Sequence, residues 1–342
     1  MKIGVTYYPQ KWDSSLWSFD ADLMAKTGVK IVRIAELAWS KIEPQDGQFD
    51  FAWLDNVIGV FSHYGLEIVM CIPTNRPPTW LFEECHEIAQ NNGDNKDVKN
   101  KRCINSSVFL KYANRLSEQL VRRYGSNPTI VAWQIDSNLD IDSCGCNDCK
   151  EKFREWLIEK YDNIYNINTA IGTSIWNDIY TDISQINPPT EECREKQNPA
   201  LCIDWYRFKS DSNVKFLKEI STVIRRENPK AKVTTTACIS ENNTDFHKLY
   251  GDLDFVSYDN CLSNPIYDNS NMHYFDIMRG LKGKNFWVMN QHISSSGDYK
   301  TMLPAPKPGM IKGYALQALA HGADTVLFYC WRTALSGSEM YT

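Results

Sequence analysis

The stretch RRENPKAKVTTT at residues 225–236 decides the fold. A helical end, the breaker Asn228-Pro229 and a β-branched run follow one another directly. The same order recurs in KTGVKIVRIA at residues 26–35, where glycine is the breaker. Helix, breaker and buried strand in this succession indicate a βα-repeat fold.

Eight short apolar runs share this character and lack in/out alternation, as expected of parallel strands buried on both faces. They occupy residues 2–6, 30–35, 67–72, 130–135, 231–237, 253–258, 285–290 and 324–330. Helical patterns lie between them at residues 16–27, 53–64, 106–124, 148–161, 205–227 and 308–321. The alternation predicts an α/β protein, and eight strands favour a (β/α)8 TIM barrel over a doubly wound open sheet.

The last part of the chain adds an expectation about the barrel's closure. Only residues 331–342 follow the eighth run, too few for a full closing helix. We therefore expect residues 1–342 to form one barrel domain that could lack its last helix. The apolar backs of the first and last strands should then be partly uncovered, unless a further segment or a neighbouring chain covers them.

Composition narrows the function classes. The 37 Lys and Arg residues against 42 Asp and Glu residues give a net charge of -5, and no basic run is present. This argues against nucleic acid and anionic membranes as partners. The chain shows no cationic leader and no apolar run approaching about 18 residues, so we expect a soluble, cytoplasmic protein.

A group of cysteines indicates a metal site. Cys144, Cys146 and Cys149 lie at the start of a helical pattern, where three thiols can converge on one tetrahedral zinc ion. The fourth ligand must come from elsewhere, and Cys103 is the candidate. Ordinary reduced thiols are the alternative, because unpaired cysteines are often simply buried. We predict a closed, structural zinc site in a loop region at residues 100–150, and no disulfide framework among the 11 cysteines.

Several longer stretches carry a family resemblance that covers essentially the whole chain. They read YYPQKWD (7–13), VRIAELAWSKIEPQDGQFDF (32–51), PTNRPPTWL (73–81), AWQIDSN (132–138), CGCNDCKEKFREWL (144–157), DFVSYDN (254–260), FWVMNQ (286–291) and ALAHGADTVLFYCWR (318–332). They resemble the catalytic barrel of glycoside hydrolase family 42, the β-galactosidases. The resemblance implies a (β/α)8 barrel and retaining hydrolysis of terminal β-galactosides. It also implies a structural zinc with the ligands Cys103, Cys144, Cys146 and Cys149.

Two positions depart from the family's chemistry. The family has a glutamate acid/base after strand four and a glutamate nucleophile after strand seven, where this sequence has Asn138 and Asn290. Ser137 replaces the supporting asparagine before the acid/base. Retaining hydrolysis needs a carboxylate to attack the anomeric carbon and a carboxylic acid to protonate the leaving oxygen. A carboxamide has no titratable proton near neutral pH and is a poor nucleophile, so neither role is filled.

Other pocket positions are retained in part. Those that match family residues lining or supporting the sugar pocket are Arg33, Glu36, Trp331, Arg332 and Glu339. The family's sugar-contacting arginine before the first zinc cysteine falls on Asn100, with Arg102 close by but out of register. We expect Trp331 to be a platform for a sugar ring, since flat indole faces suit sugars.

Another carboxylate could take over the lost roles. Five aspartates lie near the predicted mouth of the barrel: Asp136, Asp140, Asp142, Asp259 and Asp298. We interpret Asp136 as structural, because the family has the same residue beside its acid/base. Asp140 and Asp142 more simply solvate the zinc loop. Asp298 is the residue to test as a displaced catalyst.

These observations favour a barrel that binds a small β-galactoside-like carbohydrate and has lost, or strongly reduced, hydrolysis. The alternatives are an active retaining hydrolase with relocated carboxylates and a structural remnant of a larger protein. From the resemblance, we expect these 342 residues to lack the family's two smaller C-terminal domains. A homo-oligomer or a further C-terminal segment could cover the incomplete barrel.

Overall fold

Apolar runs rich in β-branched residues form most of the strands. The computed structural model describes residues 1–91, 97–137, 139, 144–189, 198–237, 244–260, 272–293 and 305–336, with the backbone alone at 97–100 and 176. Its strands are β1 (Lys2–Thr6), β2 (Ile31–Ile34), β3 (Glu67–Ile72), β4 (Ala89–Asn91), β5 (Asp97–Arg102), β6 (Ile130–Ser137), β7 (Val233–Ala237), β8 (Ser257–Asn260), β9 (Phe286–His292) and β10 (Ala323–Tyr329).

Eight of these strands close a parallel barrel in the order β1-β10-β9-β8-β7-β6-β3-β2. The ring closes at β1, which pairs in parallel with β2 on one side and with β10 on the other. The other two strands, β4 and β5, form a separate antiparallel hairpin. The predicted (β/α)8 barrel is therefore confirmed.

The barrel interior is packed with side chains from opposite strands. Val69 in β3 and Met289 in β9, on opposite sides of the ring, belong to one buried cluster with Ile31 and Leu327. Gly4 in β1 faces the same cluster. A Cβ at Gly4 would lie 2.5 Å from Ile31 Cγ2 and 2.7 Å from Leu327 Cγ, so this close approach requires glycine.

Amphipathic helices surround the ring. They are α1 (Ser15–Lys26), α2 (Trp39–Ile42), α3 (Ala52–His63), α4 (Thr79–Glu84), α5 (Ser107–Tyr124), α6 (Asn147–Tyr161), α7 (Ile164–Ile171), α8 (Pro199–Glu227), α9 (Phe246–Gly251), α10 (Met272–Lys282) and α11 (Met310–Ala320). Helix α8 begins earlier than its apolar pattern predicts. Asn198 caps it by accepting a hydrogen bond from the Ala200 amide at 2.9 Å, and Pro199 suits the first helical position.

The outward faces of β1 and β10 are partly accessible to solvent in the described part of the chain. No helix follows β10 within residues 330–336, the last that the structure describes. Residues that alternate with Gly4 and its partner Leu327 face outward. Of these, Val326 is buried, whereas Ile3 and Phe328 are half-buried. Within the described ranges, no helix is long and apolar enough to cross a membrane.

Candidate active site

A fully buried arginine organises the carboxyl ends of the barrel strands. Arg33 in β2 donates from Nη2 to Glu36 Oε2 and to Asn290 Oδ1, both at 2.8 Å. Its Nη1 donates to Gln134 Oε1 in β6 at 3.3 Å. One guanidinium thus fixes side chains from β6 and β9 and from the loop after β2 at a single point.

Asn290, the predicted nucleophile position, is held through the oxygen of its carboxamide. Its Oδ1 accepts from Arg33 and, at 3.5 Å, from Thr6 Oγ1 in β1. Asp259 in β8 is the register partner of Asn290 and lies beside it. The neutral group occupies the centre of the site and offers no ionisable oxygen there.

Asp259 is the buried carboxyl group next to Asn290. Burial raises its pKa to about 6, although the charge of Arg33 pulls in the opposite direction. Among the residues that the structure describes, Oδ1 of Asp259 has no hydrogen-bond partner. The site therefore retains one carboxyl group that can change its charge near neutral pH.

Two tyrosines extend the network toward the last strand. Tyr8 donates to Glu36 Oε2 at 2.6 Å, and its hydroxyl lies 3.2 Å from the hydroxyl of Tyr329 in β10. Burial, followed by the negative charge of Glu36, raises the pKa of Tyr8 well above its ordinary value. Tyr8 is therefore a neutral donor, and it fixes one carboxylate oxygen of Glu36 together with Arg33.

Asp136 connects the end of β6 to the end of β5 and to the loop after β3. It adopts a left-handed φ of 54°, and its Oδ1 accepts from the Ser137 amide at 2.7 Å. Its Oδ2 accepts from Thr74 Oγ1 at 3.1 Å and forms an ion pair with Arg102. Burial raises the Asp136 pKa even though Arg102 opposes the shift. Both carboxylate oxygens of Asp136 are thus bonded to neighbouring residues, which is consistent with a structural role.

Arg332 and Trp331 anchor the chain where it leaves β10. Arg332 donates from Nε and Nη2 to the two carboxylate oxygens of Asp20 in α1, at 2.7 and 2.6 Å. Its guanidinium carbon lies 5.3 Å from the ring centre of Trp12. The amide of Trp331 donates to the Thr6 carbonyl at 2.9 Å. Two guanidinium donors of Arg332 therefore serve helix α1, so this residue supports the pocket wall.

The four cysteines converge, as their spacing predicts. The sulfur atoms of Cys103, Cys144, Cys146 and Cys149 all lie within 4.8 Å of one another. The Sγ–Sγ distances are 3.4 Å for Cys103–Cys149 and 3.5 Å for Cys146–Cys103, far longer than a disulfide bond. A tetrahedral zinc ion with Zn–S bonds of about 2.3 Å needs sulfurs about 3.8 Å apart. The donor set therefore fits one tetrahedral metal ion.

The four thiols shift one another's pKa in opposite directions. Hydrogen bonds from Cys103 lower the pKa of Cys144 and of Cys146, whereas hydrogen bonds to its neighbours raise the pKa of Cys103 well above its ordinary value, and the pKa of Cys149 is also raised. Cys146 lies at the amino end of α6, where the helix dipole favours negative charge. Asn105 Nδ2 donates to Cys149 Sγ at 3.4 Å. A metal ion at this position would hold the loop before α5 against the start of α6.

The whole chain is similar to known proteins of one enzyme family. Residues 6–342 match the family model of glycoside hydrolase 42, described as beta-galactosidase. The chain belongs to glycoside hydrolase family 42. It is 43% identical to beta-galactosidase BgaA of Clostridium cellulovorans, over 100% of this chain and 53% of that protein. It is 33% identical to beta-galactosidase BgaH of Haloferax lucentense, again over 100% of this chain and 54% of the relative.

Solved family 42 structures superpose on the whole chain. The polyextremophilic beta-galactosidase of Halorubrum lacusprofundi has a TM-score of 0.93 at 31% identity, over 100% of this chain and 54% of that one. The beta-galactosidase of Bacillus circulans sp. alkalophilus has a TM-score of 0.93 at 27% identity, over 100% and 52%. The chain thus spans about half the length of the relatives it matches.

Some of the family 42 positions assigned from sequence can be placed, and others cannot. Arg33 contacts both Glu36 and Asn290 directly, and Ser137 is buried at the end of β6. Trp331 is half-buried and follows β10 directly. Several assigned or weighed positions lie outside the described residues: Asn138, Asp140, Asp142, Asp298 and Glu339.

Sequence reasoning missed four members of the family 42 site: Tyr8, Asp20, Gln134 and Tyr329. Tyr8 and Gln134 lie within the motifs YYPQKWD and AWQIDSN, so their motif membership could have identified them. Asp20 lies in a helix without any such motif. Its role depends on contact with a residue far away in the sequence, which only the folded barrel makes visible.

Proposed function

We propose that this family 42 barrel binds a small β-galactoside-like sugar and hydrolyses it weakly or not at all. The proposal rests on one observation, the neutral side chain of Asn290 at the predicted nucleophile position. A neutral carboxamide, hydrogen-bonded to Arg33 and next to Asp259, stands where retaining hydrolysis needs a free carboxylate. The second catalytic position, Asn138, removes the acid that would protonate the leaving oxygen.

The retained framework supports sugar binding. Arg33 and Tyr8 both bond Oε2 of Glu36, which leaves Oε1 of Glu36 as an acceptor for a sugar hydroxyl. Trp331 follows the last strand and can present an indole face to a sugar ring. Binding by charged and aromatic groups does not require a nucleophile, so the pocket can keep affinity without turnover.

The first experiment separates binding from catalysis. We expect titration calorimetry with galactose or lactose to detect binding, and a chromogenic β-galactoside to show no turnover above background. Glu36→Gln should weaken binding at least about tenfold, because a charged acceptor is replaced by a neutral amide. Glu67→Gln is the matched control, because Glu67 pairs with Lys2 at the opposite end of the barrel. Absence of sugar binding would leave the structural-remnant alternative in place of this proposal.

The second experiment restores the missing groups. The double variant Asn138→Glu/Asn290→Glu returns both carboxyl groups to the family positions. If the pocket still accepts the family's substrate geometry, turnover of the chromogenic galactoside should appear in the double variant and in neither single variant. A double variant that binds sugar but stays inactive would mean that the pocket no longer places the glycosidic bond between these two positions.

An active hydrolase with relocated carboxylates is the second candidate, favoured by relatives named beta-galactosidases. Asp298 is the residue to test for it. Easily measured turnover in the unaltered protein that disappears in Asp298→Ala would support relocation and contradict the proposal of lost hydrolysis. Turnover that persists in Asp298→Ala would point to another carboxyl group, of which Asp259 is the nearest to Asn290.

We further propose that Cys103, Cys144, Cys146 and Cys149 hold a structural zinc ion. The short sulfur–sulfur distances and the fit to tetrahedral geometry support this assignment. Elemental analysis of the purified protein should find about one zinc per chain. We also infer a reducing, cytoplasmic location, in which these thiols stay available to the metal.

A further inference from the structure

Arg102 connects the cysteine cluster to the mouth of the barrel. In the sequence it directly precedes Cys103, and its side chain forms an ion pair with Asp136 at the end of β6. Both side chains are almost completely buried, at 5% and 0% exposure. Water cannot replace either partner of such a pair, so the placement of one guanidinium determines whether the Asp136 carboxylate keeps its counter-charge.

Arg102 acts on the site through Asp136 and not as a sugar ligand. The family's sugar-contacting arginine falls on Asn100, whereas the Arg102 guanidinium is buried in the protein, with its carbon 5.9 Å from the ring centre of Phe109. Nε of Arg102 has no hydrogen-bond partner among the residues that the structure describes. The bond to Asp136 therefore depends on how the backbone of Arg102 is held.

A hairpin that stands apart from the barrel sheet holds this backbone. Within the described ranges, β4 and β5 pair with each other and with no barrel strand. The Cys103 amide donates to the Ile88 carbonyl at 2.7 Å, and the Gly145 amide, between two cluster cysteines, donates to the Asn91 carbonyl at 2.5 Å. A metal ion shared by Cys103 and the thiols at the start of α6 would therefore fix the hairpin, and Arg102 with it.

The backbone of Asp136 needs support from its neighbours. Its φ of 54° lies in the left-handed region, which a residue other than glycine keeps only where its surroundings hold it there. Thr74 and the Ser137 amide bond its carboxylate at 3.1 and 2.7 Å, and Gln134 Nε2 donates to its carbonyl at 2.9 Å. Arg102 supplies the positive charge that these three contacts lack, so its withdrawal leaves a buried carboxylate that favours another arrangement of the end of β6.

From Asp136 the contacts continue to the sugar pocket. Gln134, which bonds the Asp136 carbonyl, accepts from Arg33 Nη1 at 3.3 Å through its Oε1. Arg33 in turn donates to Glu36 Oε2 at 2.8 Å, and Glu36 is the proposed acceptor for a sugar hydroxyl. Each step from Cys103 to Glu36 is therefore a peptide link or a direct bond between buried groups.

We propose that Arg102 is a positioning residue that makes the arrangement of the barrel mouth, and with it the affinity for sugar, depend on the metal ion in the cysteine cluster. This role of Arg102 rests on the proposed sugar binding and the proposed metal site. With a metal ion bound, Cys103 is held against α6 and Arg102 neutralises Asp136. Without it, the hairpin is released, and the bonds that run from Asp136 to the pocket no longer present Glu36 to a sugar hydroxyl.

Hydrogen exchange measured by mass spectrometry tests the positional effect without sugar. Zinc-loaded protein is compared with protein treated with EDTA, well below the unfolding midpoint. We expect the amides of residues 134–137 to exchange at least about fivefold faster after EDTA treatment. In Arg102→Met the same amides should exchange fast with or without zinc, and EDTA should change their rates by less than about twofold. Arg102→Lys keeps the charge and should retain most of the response.

Arg115→Met is the matched control. It also removes the cationic partner of a buried carboxylate, that of Glu43 after α2, so it destabilises the barrel at a place outside the path from Cys103 to Glu36. The response of residues 134–137 to EDTA should be the same in this variant as in the unaltered protein.

Titration calorimetry with galactose tests the link to affinity. Removal of zinc should raise the Kd for galactose at least about fivefold in the unaltered protein and in Arg115→Met, and less than about twofold in Arg102→Met. By thermodynamic linkage, saturating galactose should tighten zinc binding by the same factor as zinc tightens galactose binding. Competition with a chromophoric chelator measures this reciprocal effect without any variant.

The results distinguish this role from the proposals on which it rests. An EDTA response of the same size in Arg102→Met and in the unaltered protein would overturn the role of Arg102, as would equal zinc affinities with and without bound galactose. A protein that holds no zinc as purified and takes up none would overturn the metal site and this role together. Faster exchange after EDTA treatment, in a protein that binds no galactose, would support the positional role and contradict the proposed sugar binding.

Discussion

Removing the charge of Arg332 should destabilise the barrel more than removing the charge of its partner. The Asp20 side chain is 1% exposed, whereas that of Arg332 is 29% exposed. Arg332→Met keeps the packing against Trp12 but leaves a buried carboxylate that retains Tyr7 as a hydrogen-bond donor and Trp331 nearby, both of them neutral. Breaking a buried pair in this way costs about 3–5 kcal/mol in free energy of unfolding. Asp20→Asn leaves a guanidinium that water can reach, so the loss should be about 1–3 kcal/mol.

The pH dependence of this difference has a definite sign. Burial alone would raise the pKa of Asp20, but hydrogen bonds from Arg332, Tyr7 and Trp331 outweigh it and hold the pKa below its ordinary value. Asp20 therefore stabilises the unaltered protein above about pH 4, and this contribution is lost as pH falls through the lowered pKa. In Arg332→Met, burial prevails and the Asp20 pKa rises. Acid then protonates the stranded carboxyl group and relieves its cost.

Urea unfolding followed by tryptophan fluorescence measures these effects as midpoints at pH 7 and pH 4.5. At pH 7 the order of midpoints should be unaltered protein, Asp20→Asn, then Arg332→Met, and the two variants should converge at pH 4.5. Arg226→Ala is the control, because Arg226 pairs with Glu227 on the exposed surface and should leave the midpoint unchanged. Equal midpoints for the two variants at pH 7, or a gap that does not change with pH, would refute the reasoning.

Three further predictions concern the site and the cysteine cluster. Because the Asp259 pKa of about 6 lies above its ordinary value, ionisation of this residue opposes folding, and stability should fall as pH rises from about 4 through about 6. The free energy of unfolding of Asp259→Asn, relative to that of the unaltered protein, should therefore increase by about 2–3 kcal/mol between pH 4 and pH 7. A difference between the two proteins that does not change with pH would contradict this prediction. Asn290→Glu places a second carboxylate next to Asp259. The unfolding midpoint of this variant should therefore fall more steeply from pH 5 to pH 7 than that of the unaltered protein. Equal slopes would argue against a close approach of the two side chains. Cys146→Ser should lower the thermal unfolding midpoint by at least about 5 °C. A chelator should lower the midpoint of the unaltered protein by a similar amount and leave that of Cys146→Ser unchanged. Cys85→Ser is the control, because Cys85 lies outside the cluster and its replacement should not lower the midpoint.

The barrel strands could be predicted where burial and pairing coincide. The run at 67–72 matches β3 because all its residues after Glu67 are buried. The run at 253–258 is displaced from β8, which begins at Ser257. Leu253 and Val256 are already buried in the core before pairing starts, and an apolar run does not show which part of it pairs. Strand β5 reads DVKNKR, which carries no apolar periodicity, so the hairpin could not be predicted.

The candidate site likewise contains some contacts that the sequence predicts and others that it does not. Arg33 and Asn290 could be expected to meet, because parallel strands bring their carboxyl ends together at one mouth. The bond between Arg332 and Asp20 joins residues 312 positions apart, and it depends on the register of β10 against β1. No local sequence pattern predicts how β10 pairs with β1. Sequence motifs therefore identify groups that act at strand ends, whereas the groups that hold them from the helical layer require the folded structure.

The charge balance around Arg33 explains how this barrel accommodates an asparagine at position 290. A buried guanidinium needs a negative partner, and Glu36 supplies one at 2.8 Å, with Asp259 as a second acidic neighbour. Asn290 adds a hydrogen-bond acceptor at the same distance without adding charge. An asparagine at this position therefore leaves no charge stranded, since the scaffold's own carboxyl groups already compensate Arg33. The contacts that stabilise the site therefore do not require a carboxylate at position 290, so an intact family 42 framework is not by itself evidence of turnover.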